Sequence, residues 1–155
     1  MKTIIIILSL VLLTGLIYFI YLGFKSQSGV ANGIVNNQLS PCPDTPNCIS
    51  TEFEDDSSHY TDAIKYTAEN NENIMQTIIE VIKETDGSVI KTDTDYISAT
   101  YTSSIFRYVD DFEIRLDKDN QLIQIRSASR VGRSDFGANL KRINHFKNRL
   151  SEKLN

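Results

Sequence analysis

Apolar positions follow several different spacings along this chain, and each spacing predicts a different element. Residues 3–24 run for 22 positions without a charge, and 17 of them are apolar. At about 1.5 Å per residue such a helix spans about 33 Å, enough for a hydrocarbon core of about 30 Å. Ile74, Met75, Ile78, Ile79, Val81 and Ile82 recur at helical intervals. They predict a helix over about 71–86, closed by Gly87 at C′. Residues 96–103 alternate Ile97, Ala99 and Tyr101 with Ser98, Thr100 and Thr102, the pattern of a strand with one dry face. Residues 88–92 and 63–66 are shorter strand candidates. A last helix is predicted over about 138–154, with Leu140, Ile143, Phe146 or Lys147, Leu150 and Leu154 on its buried stripe.

Two further strands, 111–117 and 121–127, flank Lys118-Asp119-Asn120. With the turn centred on Asp119 and Asn120, Leu116 faces Ile123 and Ile114 faces Ile125. The same register sets Glu113 against Arg126 and Arg115 against Gln124 on the other face. A slip of one residue would break both sets together. Phe112, Ile114, Leu116, Ile123 and Ile125 are therefore expected in the core. Consecutive strands on short turns, flanked by helices, predict an α+β fold: an antiparallel sheet of four to five strands packed against two helices.

The apolar run divides the chain into a transmembrane anchor at 1–25, a linker at 26–40 and a single domain at 41–155. The linker is rich in Ser, Asn, Gln and Gly and reads as a flexible stalk. A cleaved signal peptide is the competing reading of the first segment, but its apolar region is normally about 7–15 residues, and no good cleavage site follows here. A lipoprotein box ending at Cys42 is rejected because Pro41 stands where a small residue is needed. Lys2 and the α-amine outweigh Lys25, which favours a cytoplasmic N-terminus and residues 26–155 outside, in a periplasm, on a cell surface or in a lumen.

Both cysteines and all three prolines lie in Pro41-Cys42-Pro43-Asp44-Thr45-Pro46-Asn47-Cys48. Pro46-Asn47 suits a turn that brings the ends together. A Cys42–Cys48 disulfide would contribute about 2 kcal/mol on the chain-entropy model. It would also agree with an oxidising compartment. Redox and metal roles are the weaker alternatives, since the spacing is not Cys-x-x-Cys, and His59 and His145 lack the paired spacing of a zinc site. No metal and no cofactor is expected.

Charge adds a second division. The net charge of −4 conceals 13 acids and 3 bases in residues 26–95, against 7 acids and 11 bases in residues 96–155. Seven of those bases fall within 126–149, where Asp135 is the one acid. The segment 127–137 carries hydroxyls, guanidinium groups and two glycines ahead of a helix N-terminus, the parts of an anion site. The candidate ligand-binding residues are Arg126, Ser129, Arg130, Arg133, Ser134 and Arg142, with Asp110, Asp111 and Glu113 orienting the guanidinium groups. The bland alternative is that these acids and bases pair with one another while Ser134 or Asp135 caps the helix.

Several activities lose support from the same residues. Gly132 and Gly137 have phosphate-loop spacing, but Ala138-Asn139 stands where Lys-Ser/Thr is required. No Gly-x-Ser-x-Gly occurs. Nucleic acid is not expected as a partner, because the basic segment has few aromatic stacking groups. Three classes remain: a domain binding an anionic small molecule or an envelope protein, a hydrolase using Asp111 or Glu113 as base, and a structural envelope component.

Three stretches taken together resemble the family called domain of unknown function 1499. They are residues 41–50, residues 106–113, and residues 126–139 with Arg142-Ile143. The resemblance spans about residues 39–150. It implies a membrane-tethered or exported domain whose three motifs meet in space, and it implies no activity or cofactor.

Overall fold

The computed structural model describes residues 1–67 and 73–154. The apolar run forms α1 (Lys2–Gln27), a helix long and apolar enough to cross a membrane. It is apolar on every side, so no stripe distinguishes a core face. Its last turns meet the rest of the chain at Gly23 and Ser26. A Cβ at Gly23 would lie 2.0 Å from the Phe106 carbonyl oxygen, so only glycine permits this approach. Ser26 Oγ accepts the Val109 N–H at 3.0 Å.

Six strands make one antiparallel sheet: β3 (Cys48–Ser50), β4 (Ile64–Lys65), β5 (Ser88–Thr92), β6 (Tyr96–Thr102), β7 (Val109–Asp117) and β8 (Leu122–Ser129). The order is β3-β8-β7-β6-β5, with β4 also on β8. The hairpin register is the expected one. Leu116 faces Ile123, Ile114 faces Ile125, Glu113 faces Arg126 and Arg115 faces Gln124. β3 is an addition to the expected strands. Its three residues are too few for alternation to be visible, and β8 supplies the pairing that orders them.

α2 (Ile74–Glu84) and α3 (Ala138–Leu154) cover one face of the sheet. Positions 71 and 72 of the predicted first helix lie outside the described residues. α2 does not end with glycine at C′. Asp86 takes the left-handed conformation there, at φ 65°. Gly87 follows at C″, and its N–H reaches the Ile82 carbonyl at 2.8 Å, a Schellman closure. Glycine is needed at 87 for space, since a Cβ would stand 2.7 Å from Ile82 and 2.8 Å from Tyr101.

The core lies between this face and the helices. Ile97, Ala99, Phe112, Ile114, Ile123 and Ile125 meet Ile78, Ile82, Ile143, Phe146 and Leu150. Phe112 makes edge contacts with both Tyr101, at 5.4 Å, and Phe146, at 5.2 Å between ring centroids. Leu140 is a correction to the predicted stripe, for it is 39% exposed, while Asn139 is fully buried. The asparagine amide finds four partners at that depth, so the buried track of α3 begins one residue earlier than its apolar spacing suggests.

The opposite face is covered too. Within residues 26–40, expected from composition to be a flexible stalk, the chain folds β1 (Ile34–Val35) and β2 (Gln38–Leu39) into a hairpin. Asn36 and Asn37 form its two-residue turn with φ 51° and 62°, which asparagine tolerates and which matches strand twist. Leu39 is fully buried. The Gly33 N–H donates to Glu113 Oε1 at 2.7 Å, and the Leu39 N–H donates to Glu52. The physical reason is polar satisfaction: the buried carboxylates of Glu113 on β7 and of Glu52 just past β3 supply acceptors to this backbone.

Candidate functional site

Alternation along β7 sends Asp111, Glu113 and Arg115 to the hairpin-covered face and Asp110 to the helix face. Each acid meets an arginine. Glu113 is fully buried and accepts Arg126 Nη1 at 2.8 Å, the Tyr96 hydroxyl at 2.8 Å and the Gly33 N–H. Burial and the neighbouring Glu113 charge push the Tyr96 phenol well above its usual range, so it stays a donor. Asp111 receives Arg130 through Nε at 3.0 Å and Nη2 at 2.6 Å, a forked contact. Arg130 Nη1 continues to the Ser26 carbonyl at 3.1 Å. Arg115 engages Glu52 and Asp117. Desolvation raises the Glu52 carboxyl above its ordinary value despite that arginine.

Asp110 lies on the helix face and accepts Arg142 Nη2 at 2.8 Å. Arg142 also donates to Ser127 Oγ at 2.9 Å and lies 4.8 Å from the centre of the Tyr101 ring. Asn139 ties this group together. It accepts from Ser127 at 2.6 Å and donates to the Asn47 carbonyl at 2.8 Å and to Ser129 Oγ at 3.1 Å. Asp135 caps α3, accepting the Gly137 and Asn139 N–H groups at 3.0 and 2.7 Å.

The six candidate ligand residues therefore fall in three places. Arg126 and Arg130 share the covered face, Ser129 and Arg142 border the helix face, and Arg133 and Ser134 lie exposed on the 130–137 loop. No hydrogen bond or ion pair engages Arg133 among the described residues. Sequence reasoning missed Tyr96, Gly33, Glu52, Ser127 and Asn139. Asn139 had a signal in its place within the third family-like stretch. Glu52 had none, being 63 residues from Arg115.

Cys42 and Cys48 form a disulfide. Beside it opens a crevice of about 380 Å³, lined by Pro41, Cys42, Asp111, Arg126, Ser129 and Arg130 among others. Arg126 Nε is buried and has no partner among the described residues. An orphaned charged donor costs about 1–3 kcal/mol or more, so its position is informative. His59 is held between Asp56, at 2.7 Å, and the Thr45 carbonyl, at 3.2 Å, which ties the cysteine loop to the following segment. His145 is exposed.

Fold and site together define a small α+β domain in which neighbouring strands and a helix match buried arginines with carboxylates. The chain belongs to the family described as a protein of unknown function, DUF1499, whose model matches residues 38–150. No curated protein and no solved structure matches it.

Proposed function

We propose that the chain is a membrane-anchored extracytoplasmic domain that binds a small anionic ligand in the crevice beside the disulfide. Retention of α1 is supported by its docking: Gly23 and Ser26 are built into the contact with Phe106, Val109 and Arg130. An exported location is supported by the disulfide and by the charge at Lys2. Ligand binding rests on one observation, the unpartnered Arg126 Nε in a residue that lines the crevice. A volume of about 380 Å³ suits a small molecule better than a protein side-chain cluster.

The hydrolase alternative needs Asp111 or Glu113 to take a proton, and an arginine engages each. No observation favours it over binding. The test is thermal unfolding of the full chain in detergent against phosphate, sulfate and small carboxylates. Arg126→Lys keeps a cation for Glu113 and removes Nε. An anion that stabilises the wild type and not this variant supports the reading. Equal stabilisation of both removes Arg126 from the site.

A further inference from the structure

A second cleft, of about 490 Å³, lies where α1 meets the domain. Tyr18, Phe19 and Leu22 form one wall, and Val131, Arg133 and Phe136 lie across from them. Its depth in a bilayer follows from the helix. Counting from Lys2, a hydrocarbon core of about 30 Å takes about 20 residues, so the helix reaches the far boundary near Leu22. Tyr18 and Phe19 therefore sit just inside that boundary. The domain contacts the helix at this depth, because Phe106 packs on Phe19 with ring centroids 5.5 Å apart. The two loops beside the helix each carry a strongly exposed apolar side chain: Phe136 is 91% exposed and Ile105 is 82% exposed. Such tips are at home where water gives way to acyl chains.

Two polar features mark the same cleft. Arg133 has no carboxylate partner among the described residues, whereas Arg115, Arg126, Arg130, Arg142 and Arg149 each have one. Tyr108, a wall residue, has its hydroxyl buried without a hydrogen-bond partner among the described residues. An apolar wall at acyl depth, topped by an unpaired guanidinium, matches the two ends of one molecule.

We infer that this cleft holds an anionic phospholipid of the anchoring membrane. The acyl chain lies against Tyr18, Phe19 and Leu22, and the phosphate sits at Arg133. Phe136 and Ile105 enter the interfacial layer on either side. The inference rests on α1 remaining in the bilayer and is independent of the crevice beside the disulfide.

The chain contains no tryptophan, so one substitution gives one fluorescent reporter. Full-length Phe136→Trp, and separately Ile105→Trp, is reconstituted into phosphatidylcholine vesicles. Equal fractions of brominated phosphatidylcholine or brominated phosphatidylglycerol serve as quencher. Asp119→Trp, at the far end of the β7–β8 hairpin, is the reference. The expected result is blue-shifted emission and loss of intensity at positions 136 and 105, with none at 119. The loss at position 136 is greater with the brominated anionic lipid, and adding Arg133→Gln abolishes that preference. Water-like emission at 136 and 105 in protein that floats with the vesicles overturns the inference. So does equal quenching by the two lipids. Protein that does not float, or that carbonate extracts, instead refutes the anchor itself and this inference with it.

Discussion

The two faces of the sheet are both buried, by opposite means. Toward α2 and α3 the strands present Ile97, Phe112, Ile114, Ile123 and Ile125, whose burial is non-directional and scales with area. Toward the β1–β2 hairpin they present Glu113–Arg126, Asp111–Arg130 and Arg115–Glu52. There each charge is tolerable only because its partner is in place. At those apolar positions the first face accepts any apolar side chain of suitable volume. The second accepts only the partner that completes a pair, so it carries more positional information per residue.

Swaps that roughly conserve volume expose the contrast most sharply. Arg126→Met preserves bulk and leaves Glu113 buried without its cation, so it should cost about 3–5 kcal/mol in chemical denaturation. Adding Glu113→Gln should recover part of that loss, and a full cycle measures the coupling. Asn139→Ala tests the polar residue set in the apolar track of α3. It removes bonds to the Asn47 carbonyl, Ser127 Oγ and Ser129 Oγ, leaves Ser129 Oγ without a partner among the described residues, and should cost about 1–3 kcal/mol in the same assay. Ile125→Leu, on the apolar face, should cost less than about 1.5 kcal/mol. A loss for Ile125→Leu as large as that for Arg126→Met would remove the distinction between the faces.

The smallest effect concerns pH. The folded Glu52 carboxyl lies above its ordinary 4.5 because burial disfavours its charge. A raised acid binds its proton better when folded, so its contribution is present below 4.5 and lost as pH rises through the folded value. Glu84, on the solvent-facing side of α2, lies below 4.5 because Lys153 and Arg149 hold its charge. Its contribution is present above 4.5 and lost as pH falls through the folded value. Glu52→Gln should therefore gain on the wild type with rising pH just above 4.5. Glu84→Gln should gain on it with falling pH just below 4.5. Melting curves across the acid range decide, and a common direction for the two variants would contradict the assigned causes.

What the sequence made legible follows from how local each determinant is. The β7–β8 hairpin was fully readable, because one short turn fixes four facing pairs and both faces agree on the register. The apolar track of α3 was readable except at its start, where Asn139 displaces Leu140 through bonds to three distant residues. β1 and β2 carried a usable sign in Asn36-Asn37, but their polar surroundings read as stalk. The pairings of Asp110 with Arg142 and of Glu52 with Arg115 join residues 32 and 63 positions apart. No periodicity reports such distances. The division of the guanidinium-rich segment into three places depended on which way each strand residue points.

The chain leaving α1 has a mechanical consequence. At Ser26 it is fastened to Val109 and Arg130, and at Gly33 to Glu113 on the same central strand. A pull on the helix therefore reaches the domain at Phe106 and the start of β7, through ring packing and a few hydrogen bonds, before the hairpin feels it. Those bonds act as a fuse in the load path. Under tension they would part before the sheet shears, loosening residues 28–33 over the charged face while the buried Leu39 and the apolar core stay in place.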